Sequence, residues 1–582
     1  MSERLLNAVG GRLLAAMMVA LVGCAATPTS AEPAPATPDG SEREEVVGTL
    51  KAELTRSMER LRLPDYEGPY FLSYQLKDDE SVTVAGKFGA LTADARSRQR
   101  YAYVESRVGS YEFDNFANVD AESYRLANFR AERVVPLDDD QALRGALWLL
   151  TDETYKKSLS DYLTKRGGAV YEAEEAVEVP SFSREEPTSY RGPDLPLQAD
   201  PATWRAQVRR ITAGMREHTF LLDATMEVSG QRVVRYLVNS EGSEVVDEFR
   251  IYTIQAQAYT RADDGMLLEN SRLFYARDID QLPSWEHVEG AIGEMIAELR
   301  ALRDAEVIDP YTGPAILGPE ATGVLFHEAV GHRLEGERQR DEQEGRTFHG
   351  RVDQAVLPGF LSVYDDPNLD AYAGVQLNGH YLYDDEGVRA QRAQLIEEGV
   401  LRGFLMSRTP IEGVAHSNGH GRAQGVNVPR ARMANLVVVA SEAAQVSESE
   451  LREMLLAEVR RQGKPYGLLI KDITGGSTNT LGYGYQAFKG VPRMIYRVDA
   501  ETGEQQLVRG VELVGTPLSS INKIVAASSE TGIFNGYCGA ESGYVPVSTV
   551  APSILTTEIE LQRTQQSRER APILGPPWQE SP

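Results

Sequence analysis

The sequence of 582 residues is longer than one ordinary hydrophobic core, so two or more folded units are expected. Its composition, with 42% hydrophobic and 25% charged residues, is that of a globular protein. The formal net charge of -26 argues against a nucleic-acid-binding protein, which neutralises phosphates with a basic surface, and against electrostatic attachment to anionic lipid.

The N-terminus has the pattern of a secretion signal. Arg4 and Arg12 supply positive charge, and an apolar run of 11 residues follows at 13–23. Such a run is too short to cross a bilayer as a helix, which needs about 20 residues. We therefore expect a signal peptide here and no transmembrane helix.

The end of the apolar run offers two ways of processing. LVGC at 21–24 resembles the cleavage box of bacterial lipoproteins, in which lipid is attached to the cysteine, here Cys24. The alternative is an ordinary signal peptide that is cut near Ala31. The lipoprotein interpretation predicts a signal peptide at 1–23, a Pro/Ala-rich tether at 24–42 and an exported protein of the bacterial cell envelope, held on its membrane by lipid alone and facing the periplasm or the cell surface.

The first part of the mature chain predicts an α+β domain at 43–310 with a mostly antiparallel sheet. Helices and groups of strands alternate, and the polar turns between strands are short, which is not the pattern of repeated βαβ units. The predicted elements are a helix from the capping box at Ser41 to before Pro64, strands at 69–130, a helix at 141–168, strands at 219–262 and a helix at 284–305.

The remainder, 311–582, predicts a β-rich and barrel-like domain. Many short strands follow one another with Gly-rich turns, and only two helices are expected among them. One helix is predicted at 447–462. The other contains HEAVGH at 327–332 and is the most informative stretch of the chain.

HEAVGH differs from the H-E-x-x-H signature of zinc proteases because its second histidine comes one residue late. On a regular helix, residues five apart point about 140° away from each other, so His327 and His332 would not share a metal ion. They would share one if the helix widens into a π-bulge or ends near Gly331. The alternative is that His327 faces the core and His332 caps the helix C-terminus.

The chain has two cysteines, Cys24 and Cys538. If Cys24 carries lipid, Cys538 is the one thiol of the mature protein in an oxidising compartment, and no internal disulfide is possible. Such a thiol is either buried and inert or occupied, for example by a metal ion.

Other polar residues of the same region are candidates for metal or substrate binding. Glu335 and Glu337 are possible carboxylate ligands, but we expect them to orient a histidine or face solvent. His420 and Arg422 either bind a peptide carbonyl or carboxylate or belong to a tight turn. The acidic run 384–386 either binds a cation or forms a solvated hairpin turn, which we prefer.

Several segments resemble the TldD/PmbA family of peptidases, whose signature is H-E-x-x-x-H. The similarity is collinear from about 311 to 561 and much fainter in the N-terminal half. It rests on LGPEATGVLFHEAVGHRLEGE (317–337), YDDEGVRAQRAQLIEEGVLRGF (383–404), NGHGRAQGVNVPRARMAN (418–435), KDITGGSTNTLGYGYQAF (471–488), VRGVELVG (508–515) and GYCGAESGYVPVSTVAPSIL (536–555).

The resemblance implies a site of four residues. His327, His332 and Cys538 correspond to the family's ligands of one Zn²⁺ ion per chain, and Glu328 corresponds to the residue that activates water. This set resembles the catalytic TldD type, because the PmbA-type chains lack the metal residues. Ala540 replaces the lysine-like residue that follows Cys-Gly in the family, which puts any substrate contact from that position in doubt.

The resemblance also implies a function and partners. It predicts a zinc-dependent peptidase that hydrolyses extended or unfolded peptides and forms a homodimer or a heterodimer with a PmbA-type subunit. Two alternatives remain open. One is a catalytically silent peptide-binding or scaffolding lipoprotein of the same fold, and the other is a metal-dependent amide hydrolase with a non-peptide substrate in the cell envelope.

Overall fold

The computed structural model describes residues 40–116, 134–169, 179–340, 344–480 and 488–564, with short pieces between 572 and 579. The predicted signal peptide, its Cys24 and residues 24–39 of the predicted tether lie outside the described residues. The domain boundary expected between 310 and 311 stays a prediction.

Three helices confirm the predicted positions within one residue: Asp140–Ala169, Trp285–Asp304 and Glu448–Arg461. The first helix ends at Arg60, short of the predicted end before Pro64, and the short helix Pro517–Ile521 is not among those that the sequence predicts. Local capping explains two of the boundaries: the Ser284 side chain accepts the N–H of His287 in the first turn of one helix, and Ser447 and Glu450 form a full capping box on another. None of the described helices is both long enough and apolar enough to cross a membrane. In chain order they are α1 (Gly40–Arg60), α2 (Asp140–Ala169), α3 (Pro201–Gly214), α4 (Trp285–Asp304), α5 (Pro319–Ala329), α6 (Glu448–Arg461) and α7 (Pro517–Ile521).

The N-terminal part contains a mostly antiparallel sheet, as predicted, and its helices pack on one face of that sheet. Its strand pairings are antiparallel except for one, between Ser189–Arg191 and Glu244–Arg261, which is parallel. Alternate apolar residues of the long strands pack under α1 to α4. In the order β3-β2-β1-β5-β6-β4, with β7 beside β6, the strands are β1 (Phe71–Lys87), β2 (Ala90–Arg107), β3 (Val134–Val135), β4 (Ser189–Arg191), β5 (Asp223–Asn239), β6 (Glu244–Arg261) and β7 (Leu267–Ala276).

The C-terminal part is rich in short strands, which confirms the predicted β character. The strands are β8 (Glu306–Val307), β9 (Tyr311–Leu317), β10 (Leu361–Asp365), β11 (Ala371–Tyr372), β12 (Val375–Gln376), β13 (Ala393–Glu397), β14 (Val400–Leu401), β15 (Gly421–Arg422), β16 (Arg430–Ala431), β17 (Asn435–Ala440), β18 (Gln445–Val446), β19 (Tyr466–Thr478), β20 (Phe488–Asp499), β21 (Gln505–Arg509), β22 (Val511–Gly515), β23 (Ile524–Ala540) and β24 (Gly543–Arg563).

The pairing of these strands gives a partly closed sheet and not a regular barrel. Thirteen strands of the described residues share one sheet, in the order β14-β13-β10-β17-β24-β9-β19-β20-β21-β8 with β18, β22 and β23 beside this path. Because β22 pairs with both β20 and β24, five strands (β24, β9, β19, β20 and β22) close a ring. The other strands extend from it as an open sheet.

Helix α5 starts directly from this sheet. Gly318 directly follows β9, and its N–H donates to the carbonyl of Ile470 in β19, at 2.8 Å. A Cβ at Gly318 would lie 2.4 Å from the carbonyl oxygen of Lys471, so only glycine fits. Pro319 then begins the helix, where its missing N–H costs nothing. The helix packs on β19, β23 and β24 and is apolar and buried along most of its length.

The acidic run 384–386 joins this region to the N-terminal sheet. The expectation of a solvated turn is wrong in part: Gly387 does turn with φ of 79°, but Asp385 is ion-paired to Lys77 at 2.8 Å and to Arg235 at 3.1 Å. Burial would raise the pKa of Asp385, but Lys77 and Arg235 outweigh it and hold that pKa below its usual range. The turn is therefore an internal ionic connection.

Removal of this carboxylate should destabilise the fold. Asp385→Asn leaves two buried cations without their shared anion, so we expect the free energy of unfolding to fall by about 3–5 kcal/mol. Urea unfolding measures this. Asp161→Asn is the matched control, because it breaks an exposed pair with Lys157 and should change the value by no more than about 0.5 kcal/mol. Equal effects of the two variants would contradict the role given to Asp385.

Candidate metal centre

The α-helix ends between the two histidines of HEAVGH. Its last residue is Ala329, and Val330 leaves the helix with φ of -119° and ψ of -54°. The chain continues as a 3₁₀ turn at Gly331–Leu334. His327 therefore lies on the last turn of α5 and His332 on the 3₁₀ turn, with ring centroids 5.0 Å apart and ring planes at 89°. This confirms the predicted end of the helix near Gly331.

Gly331 lacks a side chain, and this leaves room for Met433 beside the point where the helix ends. A Cβ on this residue would lie 2.1 Å from Sδ of Met433, which fills the position against the 3₁₀ turn. Its backbone does not need a positive φ, so the close approach of Met433 is the reason for glycine here. A larger residue would push the turn and His332 away from α5.

Cys538 brings its sulfur to both histidines. The residue lies in β23, in the hairpin that β23 forms with β24, where it is paired with Val545. Its Sγ lies 3.1 Å from Nε2 of His327 and 3.4 Å from Nε2 of His332. The three potential ligand atoms lie within 4.8 Å of one another, and all three side chains are buried. The structure thus brings together the three residues to which the resemblance gave the metal.

The donor set fits a transition-metal ion. Imidazole nitrogen and thiolate sulfur are ligands that such ions prefer, and here both Nε2 atoms face the same sulfur. The other ring nitrogen of His332 donates to Oε1 of Glu335 at 3.1 Å, the carboxylate contact that usually orients a metal-binding histidine. Nδ1 of His327 is buried and has no hydrogen-bond partner among the described residues.

Glu335 and Glu337 do not add a carboxylate ligand in this arrangement. Glu335 contacts the Nδ1 side of His332, as expected for an orienting residue, and its second oxygen accepts from Nε of Arg338 at 2.8 Å. Arg338 also forms two hydrogen bonds of 2.8 Å with Glu541. Glu337 binds Ser407 and Arg430 instead.

Opposite charges set the protonation of the ligands. Burial would raise the pKa of the Cys538 thiol, but the positive charges of His332 and Arg432 outweigh it and hold that pKa well below its usual range. Burial would lower the pKa of His332, yet the charges of Cys538 and Glu335 raise it well above its ordinary value. The cluster favours a thiolate, which is the metal-binding form of cysteine.

Glu328 lies beside the ligands and under the sheet. Gly476 of β19 passes so close that a Cβ there would lie 2.6 Å from Cγ of Glu328. Burial raises the pKa of Glu328 above its ordinary value, against the opposing charges of His327 and His332. Arg333 donates to the main-chain carbonyl of Glu328 at 2.7 Å and so satisfies a carbonyl at the helix end.

His420 and Arg422 are occupied within the protein. His420 is completely buried, with Nδ1 2.8 Å from Oδ1 of Asn418 and Nε2 3.3 Å from Oδ1 of Asp365. Arg422 donates to the carbonyls of Met433 at 2.5 Å and Pro546 at 2.8 Å. These contacts fit the alternative of a tight structural segment; substrate binding by the two residues stays a prediction.

The sequence interpretation missed the arginines of this centre. Arg333, Arg338 and Arg432 are buried and bind the helix end, Glu335 and Cys538 respectively. Two of them stand in the HEAVGHRLEGER stretch, and Arg432 stands in the NVPRARMAN segment. The sequence feature that could have indicated them is their position inside the motifs shared with the family, because solubility alone does not require arginines at those places.

Comparison with known proteins places this centre in a family. Residues 310–563 match the PmbA/TldA metallopeptidase C-terminal domain. A metalloprotease of Archaeoglobus fulgidus is 32% identical over 241 residues, which are 41% of this chain and 51% of that protein. A zinc metalloprotease TldD homolog of Saccharolobus solfataricus is 26% identical over 276 residues, 46% of this chain and 57% of that protein.

The chain thus spans about half the length of the curated relatives it matches. The fold reaches further than the sequence similarity: TldE from Thermococcus kodakarensis aligns with 90% of this chain and 100% of its own, with a TM-score of 0.56 and 15% identity. The match at 310–563 includes both histidines and Cys538, so this part of the chain is similar to the C-terminal domain of the PmbA/TldA metallopeptidases.

Proposed function

We propose that the protein is a zinc-dependent peptidase that hydrolyses extended or unfolded peptides. The observation that carries the proposal is the convergence of His327, His332 and Cys538 next to the carboxylate of Glu328. Two histidines and one cysteine leave a tetrahedral ion one position for water or substrate, which is the arrangement of a catalytic zinc site.

Zinc suits the spacing of the donors. Zn–N bonds of about 2.0–2.1 Å and a Zn–S bond of about 2.3 Å would place a nitrogen and the sulfur about 3.6 Å apart in a tetrahedral site. The two N···S distances of 3.1 and 3.4 Å are close to this value. The relative in Saccharolobus solfataricus carries zinc in its name. We expect one ion per chain.

Glu328 is the residue proposed to move the proton. When bound, zinc would supply Lewis acidity, which polarises a carbonyl and acidifies water. Glu328 would accept a proton from the attacking water and pass it to the leaving amine, and its raised pKa suits both steps. The burial of its carboxylate below β19 would keep competing water away from this transfer.

The proposed substrate is an extended chain that is bound mainly by its backbone. Beyond Ile470, β19 pairs with β20 on one side, and its pairing with β9 has ended in the described part of the chain. In this half of β19, Gly475 has open space where a side chain would stand, and the neighbouring Gly476 packs against Glu328. A peptide that adds to the sheet as a further strand would be recognised through its backbone more than through its side chains.

Assembly and location are parts of the same proposal. The resemblance of the C-terminal half to the PmbA/TldD family supports a dimer, either of two copies or with a PmbA-type subunit, which would restrict access to unstructured chains. The sequence around Cys24 supports export and a lipid anchor. The silent binding protein is disfavoured by the intact Glu328, and an amide hydrolase with an envelope substrate is the remaining rival.

Replacement of Glu328 separates metal binding from catalysis. Glu328→Gln keeps the size of the side chain but not its basicity, so we expect about one zinc ion per chain and cleavage of an unfolded peptide reduced at least about 100-fold. Metal analysis and a peptide cleavage assay measure the two quantities. Glu320→Gln, exposed on the same helix, should retain both. Unchanged cleavage by Glu328→Gln would exclude the proposed mechanism.

Replacement of Cys538 tests the ligand set. Cys538→Ala should lose most of the zinc because only two protein ligands remain, while the buried position accepts alanine. Val545→Ala is the matched control, since it shortens the buried residue paired with Cys538 and removes no ligand. Metal content after dialysis against a weak chelator reports the result. Equal zinc in both variants would show that Cys538 is not a ligand.

Replacement of Cys24 tests the anchor. In a bacterial host that processes lipoproteins, the full chain should fractionate with membranes and incorporate labelled fatty acid. Cys24→Ala should lose the label and move to the soluble fraction, because one residue carries the lipid. Incorporation of label by the variant would refute lipidation at Cys24. An unlabelled parent chain that is cut near Ala31 would instead support the ordinary signal peptide.

A further inference from the structure

Arg432 has an unusual position beside the metal centre. Its side chain is fully buried, and Nη2 donates to Sγ of Cys538 at 3.1 Å and to the main-chain carbonyl of Cys538 at 2.6 Å. Nη1 donates to Oγ of Ser542 at 2.8 Å and to the carbonyl of Gly543 at 3.0 Å. The guanidinium thus holds the tip of the hairpin that carries Cys538.

The side chain of Arg432 also reaches Glu335, the residue that contacts the second histidine. Nε of Arg432 lies 3.5 Å from Oε1 of Glu335, and this oxygen accepts the hydrogen bond from Nδ1 of His332. The backbone of Arg432 is fixed as well, because its N–H donates to the carbonyl of His420 at 3.0 Å. One cation therefore contacts Cys538 directly and His332 through Glu335.

Burying the charge of Arg432 at this place costs free energy, and packing contacts alone do not offset that cost. A buried guanidinium loses the hydration of its charge, and a bound metal ion would repel it. The compensation comes from two anions, the thiolate and Glu335, and from a planar fork that only arginine offers. An N–H group that donates to a thiolate also draws charge from the sulfur, which weakens its donation to a metal ion.

We propose that Arg432 is a positioning residue of the metal centre that orients Cys538 and Glu335 and limits the charge that the thiolate donates. This inference rests on the proposed zinc site and adds to it a residue outside the ligand set. A metal ion that receives less charge from sulfur remains more electropositive, which favours Lewis-acid chemistry. The loss of Arg432 should therefore change the electronic character of the site as well as its affinity.

Cobalt(II) in place of zinc provides the readout, because its thiolate charge-transfer absorption depends on the electron density at sulfur. In Arg432→Met, which keeps an apolar stem but donates no hydrogen bond, we expect this absorption to shift to longer wavelength and zinc affinity to fall about 10–100-fold in chelator competition. Arg432→Lys keeps the charge but not the fork, so both changes should be intermediate.

Arg408→Met is the matched control. Arg408 is also fully buried and donates to the carbonyl of Ser183 and to Glu241, but it has no contact with the ligands. We expect a comparable loss of stability in thermal unfolding with an unchanged cobalt spectrum. A folded Arg432→Met protein with the parental spectrum and affinity would overturn the inference. Failure of the parent protein to bind either metal would instead overturn the proposed zinc site.

Discussion

The interruption of one helix is the constraint on which the metal centre depends. His327 and His332 would diverge on a continuous α-helix, yet both direct Nε2 towards Cys538 because the helix ends at Ala329. Ending a helix in a buried place exposes main-chain carbonyls that require partners. Arg333 supplies donors to them, and the space that Gly331 leaves for Met433 allows the 3₁₀ turn to lie close to the sheet.

Charges of alternating sign extend outward from this interruption. The thiolate of Cys538 meets Arg432, the carboxylate of Glu335 meets both His332 and Arg338, and Arg338 meets Glu541 on the loop after β23. Each charge of this series is therefore matched by a neighbour of opposite sign, which is the condition under which charges are tolerated away from water. The network also joins the 3₁₀ turn to the Cys538 hairpin, two segments about 200 residues apart in sequence.

The parts of the fold and site that sequence predicts well are those with local causes. Capping residues and apolar periodicity locate the helices, and the extra residue in HEAVGH predicts a break that the structure has at Ala329. Contacts between distant segments are different. Nothing near 384–386 reveals that Lys77 and Arg235 pair with Asp385, and nothing near His420 reveals Asp365. Such residues look polar and therefore exposed until the tertiary structure pairs them.

The burial of Cys538 also affects how its thiol would resist oxidation outside the cytoplasm. Thiolates are the form that oxidants attack, and access decides how fast they react. The contacts that favour the thiolate of Cys538 would make an exposed residue reactive, but here the side chain is 3% exposed and surrounded by His327, His332 and Arg432. If the chain is exported as we propose, a bound metal ion and this enclosure would act together, since both withhold the sulfur from oxidation. A lipidated mature chain would have one free thiol, so it could form no internal disulfide.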